Sequence, residues 1–366
     1  MTRTMARALV EAGHQVRVIG LARANGSASH FEFDEGVRVW RLRVPQAHLS
    51  WIRARYLLYQ TVEYWARSGL IDLVEVPDFE GIAAGWPALC IPVIARMHGS
   101  ASYFGSEMGS RPKPLTWFLE RASLRRANFS CSCSRYTADR TKQLLRLQPS
   151  EIVILHNPVR TSATQSELSR VSDQVVFSGT LTPKKGVISL IRAWSMVLEK
   201  CPSAELHLFG KDGRTDNGAS MRDYLLWCIP SQFRNSVHFH GHVTLERVRI
   251  AFQSATVAVF PSYSEAFALA PMEAMAEACP TIYTRRASGS ELIDDGVNGL
   301  LVEPDDPKDI AEAIVRILKN ANVAEGLGYA GKQSIERDFS LGTLLPQNVS
   351  FYLECIQSFQ RQVAKN

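Results

Sequence analysis

Two glutamates with seven residues between them, Glu265 and Glu273, lie in the segment SEAFALAPMEAMA. They follow Val257-Ala258-Val259-Phe260, an apolar run with the length of a buried strand, and Pro261 and Ser262 stop that strand. Pro271 suits a first helical position, where its missing N–H is not needed, so the spacing predicts a helix over Pro271–Ala278 with Glu273 in its first turn. Strand, loop and helix N-terminus together form a cup of outward-facing backbone amides that suits an anion. Two carboxylates beside such a cup suit hydroxyl groups. A ligand with both phosphates and hydroxyls, such as a nucleotide sugar, meets both requirements. Singly, each residue has a plainer reading, Glu273 as a partner of the helix dipole and Glu265 as a solvated loop residue. The pair in this context favours the ligand.

A second strand–loop–helix stretch runs from Val175–Ser178 through Gly179-Thr180-Leu181-Thr182-Pro183-Lys184-Lys185-Gly186 into a helix from Val187. Lysine beside a turn can meet phosphate; its plainer reading is an exposed turn residue. Ile91–Met97 reads as a buried strand followed directly by His98-Gly99-Ser100, and ligands of open α/β sheets bind where strands end. A structural histidine is the competing reading of His98. By the same rule, Asp78 and Glu80 in the loop after the strand Leu70–Val76 are weaker candidates for acceptor contact. Ser288-Gly289-Ser290-Glu291 begins a short helix that Ser288 or Ser290 can cap, offering a second anion contact. Alternation puts His238 and His240 on one face of the strand Val237–Gly241, with His242 just beyond, but no carboxylate or cysteine completes a metal set locally. No metal is expected.

The E-x7-E spacing of Glu265 and Glu273 resembles the signature of retaining glycosyltransferases of family 4. That resemblance implies the GT-B fold: α/β, two Rossmann-like domains facing across a cleft, here with the first domain lacking its first strand and glycine-rich loop. It implies that Glu273 holds the donor ribose hydroxyls and that Glu265 approaches the donor sugar. Backbone amides around Phe267, Ala268 and Leu269 would face the diphosphate or sugar, and Gly289 belongs to the same donor set. The segment from Gly179 to Gly186 is similar to the family's G-R-L-x-x-x-K-G, with Lys185 at the diphosphate-clamping lysine and Thr180 where arginine is common. Ala266 and Ala268 stand where the family often has glycine. His98 matches a cleft histidine near the transferred sugar. The implied reaction moves a sugar from a nucleotide diphosphate to an acceptor hydroxyl with retained configuration, without metal or cofactor. A glycan or lipid-linked acceptor in polysaccharide or glycolipid biosynthesis is expected. A sugar-nucleotide binder impaired by the missing loop, and an epimerase or phosphorylase on the same architecture, are the alternatives.

These residues need a large scaffold to position them. A chain of 366 residues suits two domains. The expected division is an acceptor-side domain over 1–158, a linker over 159–173, a nucleotide-sugar domain over 174–339, and a terminal helix over 340–366 that crosses back to the first domain. Hydrophobic content of 46% and charged content of 21% are those of an ordinary globular protein. Neither a membrane span nor a signal peptide is legible. Seven scattered cysteines read as reduced thiols of a cytoplasmic protein. Of the net charge of +5, residues 1–158 carry 20 basic against 13 acidic residues, which leaves the remainder slightly acidic. The basic half could meet an anionic membrane at its inner face or an acidic acceptor, and nucleic acid is not expected. Leu49–Ser68, rich in aromatics and arginines, fits core packing better than membrane contact. Residues 101–114 read as a polar loop over the acceptor.

Overall fold

The computed structural model describes residues 1–22, 31–44, 50–148, 151–161 and 170–365. The chain divides into two compact units, one of Met1–Pro158 with Leu341–Asn366 and one of Val159–Ser340. Most of the stretch read as a linker, residues 162–169, lies outside the described residues.

The first unit has two sheets. β1 (Arg17–Ala22), β2 (Phe31–Asp34) and β3 (Val37–Arg43) form one, in the order β1-β3-β2; β4 (Val74–Pro77), β5 (Val93–Met97), β6 (Phe129–Ser132) and β7 (Val153–Ile154) form the other, all parallel. β2 has no counterpart in the sequence reading. It pairs antiparallel with β3 through a tight turn in which Glu35 and Gly36 both have positive φ, and its Asp34 is gripped by Arg3 and Arg7. The helices are α1 (Thr2–Glu11), α2 (Ser50–Arg67), α3 (Ala101–Glu107), α4 (Pro114–Arg126) and α5 (Arg135–Leu144). α3 corrects the reading of 101–114 as loop. Ser100 caps it by accepting from the Tyr103 N–H, and buried Glu120 of α4 accepts from the Ala101 and Ser102 amides at 3.0 and 3.2 Å. These bonds satisfy donors at the helix start that would otherwise be orphaned. α2 is two-sided: Leu58, Tyr59, Val62 and Ala66 join the core, whereas Trp51, Ile52, Tyr56 and Tyr64 are exposed.

The second unit is built on one six-stranded parallel sheet. Its strands are β8 (Gln174–Ser178), β9 (Glu205–Phe209), β10 (Val237–Gly241), β11 (Val257–Phe260), β12 (Thr281–Thr284) and β13 (Leu300–Val302), in the order β10-β9-β8-β11-β12-β13. Around it run α6 (Val187–Lys200), α7 (Met221–Cys228), α8 (Leu245–Ser254), α9 (Leu269–Ala276), α10 (Gly289–Leu292), α11 (Pro307–Leu318) and α12 (Ala321–Ser334). β11 and β12 are buried at every residue, as two-sided coverage of a parallel sheet requires. Val175, Phe177, Leu206, Leu208, Val257 and Val259 of the central strands share a core with the apolar stripes of α6 and α11. Strand order reverses between β8 and β11. In open α/β sheets this is the switch point, where the loops leaving neighbouring strands part and form a crevice.

α13 (Leu341–Val363) packs with the first unit through the guanidinium of Arg96 on β5. Arg96 is fully buried and donates to Glu75 of β4, to Asn348 at 2.7 Å and to Tyr352 at 3.0 Å. Among the described residues no helix is long and apolar enough to cross a membrane.

Candidate functional site

The loops that leave β8 and β11, the strands flanking the switch point, are joined by side chain and by backbone. Lys185 ends a short 3-10 turn, Pro183–Lys185, after β8. Its Nζ lies 2.6 Å from Oε1 of Glu265 in the loop after β11, and the Glu265 side chain is almost wholly buried. The Tyr263 N–H donates to the Lys184 carbonyl at 2.8 Å, and Tyr263 Oη lies 3.0 Å from Ser189 Oγ on α6. Gly186 makes this approach possible: its φ is +71°, and a Cβ there would lie 1.8 Å from the Pro261 carbonyl oxygen. Only glycine satisfies both conditions. Burial lowers the pKa of the neighbouring Lys184. Thr180 is exposed on the same loop.

α9 begins at Leu269, two residues before the predicted start, so Pro271 occupies its third position and Glu273 its second turn. Ala268 precedes the helix in extended conformation at φ −76°, and no side chain caps it. The amides at this helix start therefore look for partners beyond its own side chains. Neither Ala266 nor Ala268 is among the residues with positive φ, so alanine fits at both positions without strain. Phe267 is buried against Phe339, ring centroids 5.5 Å apart. Glu273 is half-buried, burial raises its pKa, and it accepts no hydrogen bond from the described residues. A carboxylate in that state is poised for donors that the protein does not supply.

After β12, Gly289 at the start of α10 is buried, and a Cβ there would meet the Thr284 carbonyl oxygen at 1.9 Å, so this glycine seats α10 on β12. Ser288 stands at the cap position but makes no capping bond, its backbone (φ −81°, ψ 13°) lying outside the extended region a capping serine needs, and Ser290 is exposed within the helix. The sequence reading missed Ser264 and took Ser288 only as a helix cap. Both hydroxyls are buried without a hydrogen-bond partner. Arg286 is another cation near these loops, but Glu303 and Asp305 each hold it at 2.5 Å.

The first unit carries His98 at the C-terminal end of β5. Asp78 does not face an acceptor. It is fully buried and accepts from the His98 N–H at 3.0 Å and the Gly99 N–H at 3.2 Å, fixing the bend that presents His98. Burial pushes the Asp78 carboxyl up to about 7. Burial, helped by the charge of Arg96, pushes the His98 imidazole down to about 4. His98 is thus a neutral imidazole at ordinary pH. Lys185 and Glu265 meet directly, Thr180 shares the loop of Lys185, residues 267–269 lead from Glu265 into α9 and Glu273, Gly289 opens α10 after β12, and His98 belongs to the first unit.

The sequence matches two family models, "Glycosyl transferase 4-like domain" over residues 1–158 and "Glycosyl transferases group 1" over 172–320. An uncharacterized glycosyltransferase of Methanocaldococcus jannaschii is 24% identical over 371 residues, covering 95% of this chain and 92% of its own. Among solved structures, a sucrose-phosphate synthase from Thermosynechococcus elongatus superposes with a TM-score of 0.81 at 20% identity, covering 98% of this chain and 93% of its own. Anabaena HepE, solved in complex with UDP, has a TM-score of 0.69 at 14% identity, covering 93% of this chain and 100% of its own. The two family models together span most of both units, and these structural neighbours cover nearly the whole chain. The chain belongs to the family-4 glycosyltransferases and has the GT-B fold.

Proposed function

We propose that the chain transfers a sugar from a nucleotide-diphosphate donor to an acceptor hydroxyl with retention at the anomeric carbon. The observation that carries this reading is the ion pair between Lys185 and Glu265 at the switch point. Lys185 and the uncapped start of α9 provide positive electrostatics for a leaving diphosphate, while Glu265 directs the ammonium and turns toward the donor sugar. As charge builds on the departing phosphate, dipoles already in place stabilise it without reorganising. Glu273 accepts the ribose hydroxyls. The amides of Phe267, Ala268 and Leu269 meet the diphosphate or sugar, Thr180 offers a hydroxyl where relatives have arginine, and Gly289 keeps α10 close enough to add a contact. His98, as a neutral imidazole, takes the sugar-side role that the family resemblance implies.

No divalent cation is required in this scheme, because lysine and helix amides balance the diphosphate charge. UDP bound to HepE supports a nucleotide donor. The exposed Trp51, Tyr56 and Tyr64 of α2, on a basic unit, support a lipid-linked or glycan acceptor met at a membrane surface. The test supplies UDP-, GDP- and ADP-sugars with lipid-linked and oligosaccharide acceptors, without added metal. Nucleoside diphosphate release and the anomeric coupling constant of the product are then read. Retained configuration and Lys185-dependent release are expected. Inverted product overturns the retaining reading, and binding without release to any acceptor leaves a sugar-nucleotide binder.

A further inference from the structure

We propose that the edge of the second sheet carries a transition-metal site, suited first to Zn2+, formed by Glu205, His207 and His238. The sequence places His238 and His240 on one face without a carboxylate; the cross-strand register supplies what is missing. β10 pairs in parallel with β9 so that His238 lies opposite His207, and alternation puts Glu205 on that same face. Each of the three offers one ligand atom, and these atoms all lie within 4.8 Å of one another. Glu205 Oε2 is 3.4 Å from His207 Nε2 and 3.7 Å from His238 Nε2. Two ligands of a tetrahedral ion with bonds of about 2.0–2.2 Å stand roughly 3.4 Å apart, so these separations leave the space that one ion fills. His238 Nε2 is itself buried without a hydrogen-bond partner.

The surroundings are those of a ligand set with an outer layer. His240 sits where the β10–β9 register shifts, and its Nε2 lies 2.9 Å from His207 Nδ1. A bond through Nδ1 leaves Nε2 of His207 as the atom that faces Glu205, the second-layer arrangement that fixes a ligating imidazole. His240 is in turn stacked on Phe209, centroids 4.2 Å apart. The Gln174 amide nitrogen, 3.4 Å from His207 Nε2, must turn aside when an ion binds. The charge of Arg247 on α8 acts on His240 and is not among the causes that act on His207. Three protein ligands leave a fourth position for water. β10 is the sheet's edge strand, so an ion held by β9 and β10 would clasp it to the sheet, independently of the donor loops.

The test treats the full chain with chelator, then titrates Zn2+ alone by competition with a chromophoric chelator, and Co2+ alone by visible absorption. Thermal unfolding is followed with and without Zn2+. One equivalent of Zn2+, a tetrahedral Co2+ band and a rise in Tm are expected. His238→Gln should abolish all three. His240→Ala should weaken Zn2+ affinity about 10- to 100-fold. Should His238→Gln fail to fold, Glu205→Gln, at an exposed position, replaces it and should lower affinity at least tenfold. Wild type that binds no stoichiometric Zn2+, or variants that bind it as wild type does, overturn the site. None of the three readouts depends on glycosyl transfer.

Discussion

Lys185 Nζ and Glu265 Oε1, eighty residues apart in sequence, meet at 2.6 Å across the point where the strand order of the second sheet reverses. The pair lies at the sheet's C-terminal rim and holds together the two loops that would have to enclose a ligand there. Its separate halves should not be interchangeable. Lys185→Ala leaves a nearly buried carboxylate without its ammonium and should lose about 1–3 kcal/mol of stability. Lys185→Ala with Glu265→Gln should recover part of that stability but none of the transfer rate. A thermal and urea double-mutant cycle checks the first statement, and nucleotide release checks the second. Additive stability effects would mean that the two groups do not interact.

Gly186→Ala attacks the same junction through the backbone. A left-handed φ costs an L-residue about 1–2 kcal/mol, and the new Cβ would also drive into the Pro261 carbonyl. We expect a loss of at least about 2 kcal/mol in urea unfolding and a weaker nucleotide affinity, since the loops carrying Lys185 and Glu265 must separate. An unaltered Tm would show that the loops tolerate that separation.

His98 should report its burial as a pH dependence. Its folded value, about 4, lies below the ordinary histidine value of about 6.5. The unfolded chain therefore takes up a proton first as pH falls. The His98 contribution is present above about 6.5 and is lost as pH falls toward 4, with a slope of up to about 1.4 kcal/mol per pH unit. Asp78, raised to about 7, runs the other way: its contribution is present below about 4 and is lost as pH rises to 7. The difference in unfolding free energy between wild type and His98→Asn should accordingly grow from pH 4.5 to 6.5. A constant difference would mean that His98 titrates in the folded chain as it does in the unfolded one.

Arg96→Met should free α13 from the parallel sheet of the first unit. Glu75, Asn348 and Tyr352 all converge on this fully buried guanidinium. Removing one member of such a buried set costs about 3–5 kcal/mol, because the remaining polar groups keep their desolvation without their partner. Limited proteolysis should then cut within Leu341–Val363 before the rest of the chain. Wild-type resistance there would show that apolar contacts, such as those of Phe351 and Cys355, hold the helix without Arg96.

Local patterns made most of the second unit legible. The run Val257–Phe260, the amphipathic stripe Pro307–Leu318 and the turn before Gly186 each follow from residues close in sequence. What escaped depends on contacts between distant residues. α3 lies in a stretch of polar and small residues whose start is secured by Glu120, nineteen and eighteen residues beyond the amides it accepts from. Asp78 looked like a ligand residue because it follows a strand, yet its oxygens face the backbone of the next strand's end. Glu205 and His238 become neighbours only through strand register, which no local spacing reveals. Glu273 lies two residues further into α9 than Pro271 suggested, because the helix starts at Leu269, after the extended Ala268.

If Glu273 of the second unit accepts hydroxyls from the nucleotide of the donor, nucleoside-diphosphate titration by calorimetry should separate wild type from Glu273→Gln. Loss of hydrogen bonds to a charged acceptor, worth about 1.5–3 kcal/mol, should weaken affinity roughly 10- to 150-fold while the fold stays intact. Equal affinity of the two proteins for the nucleotide would contradict it.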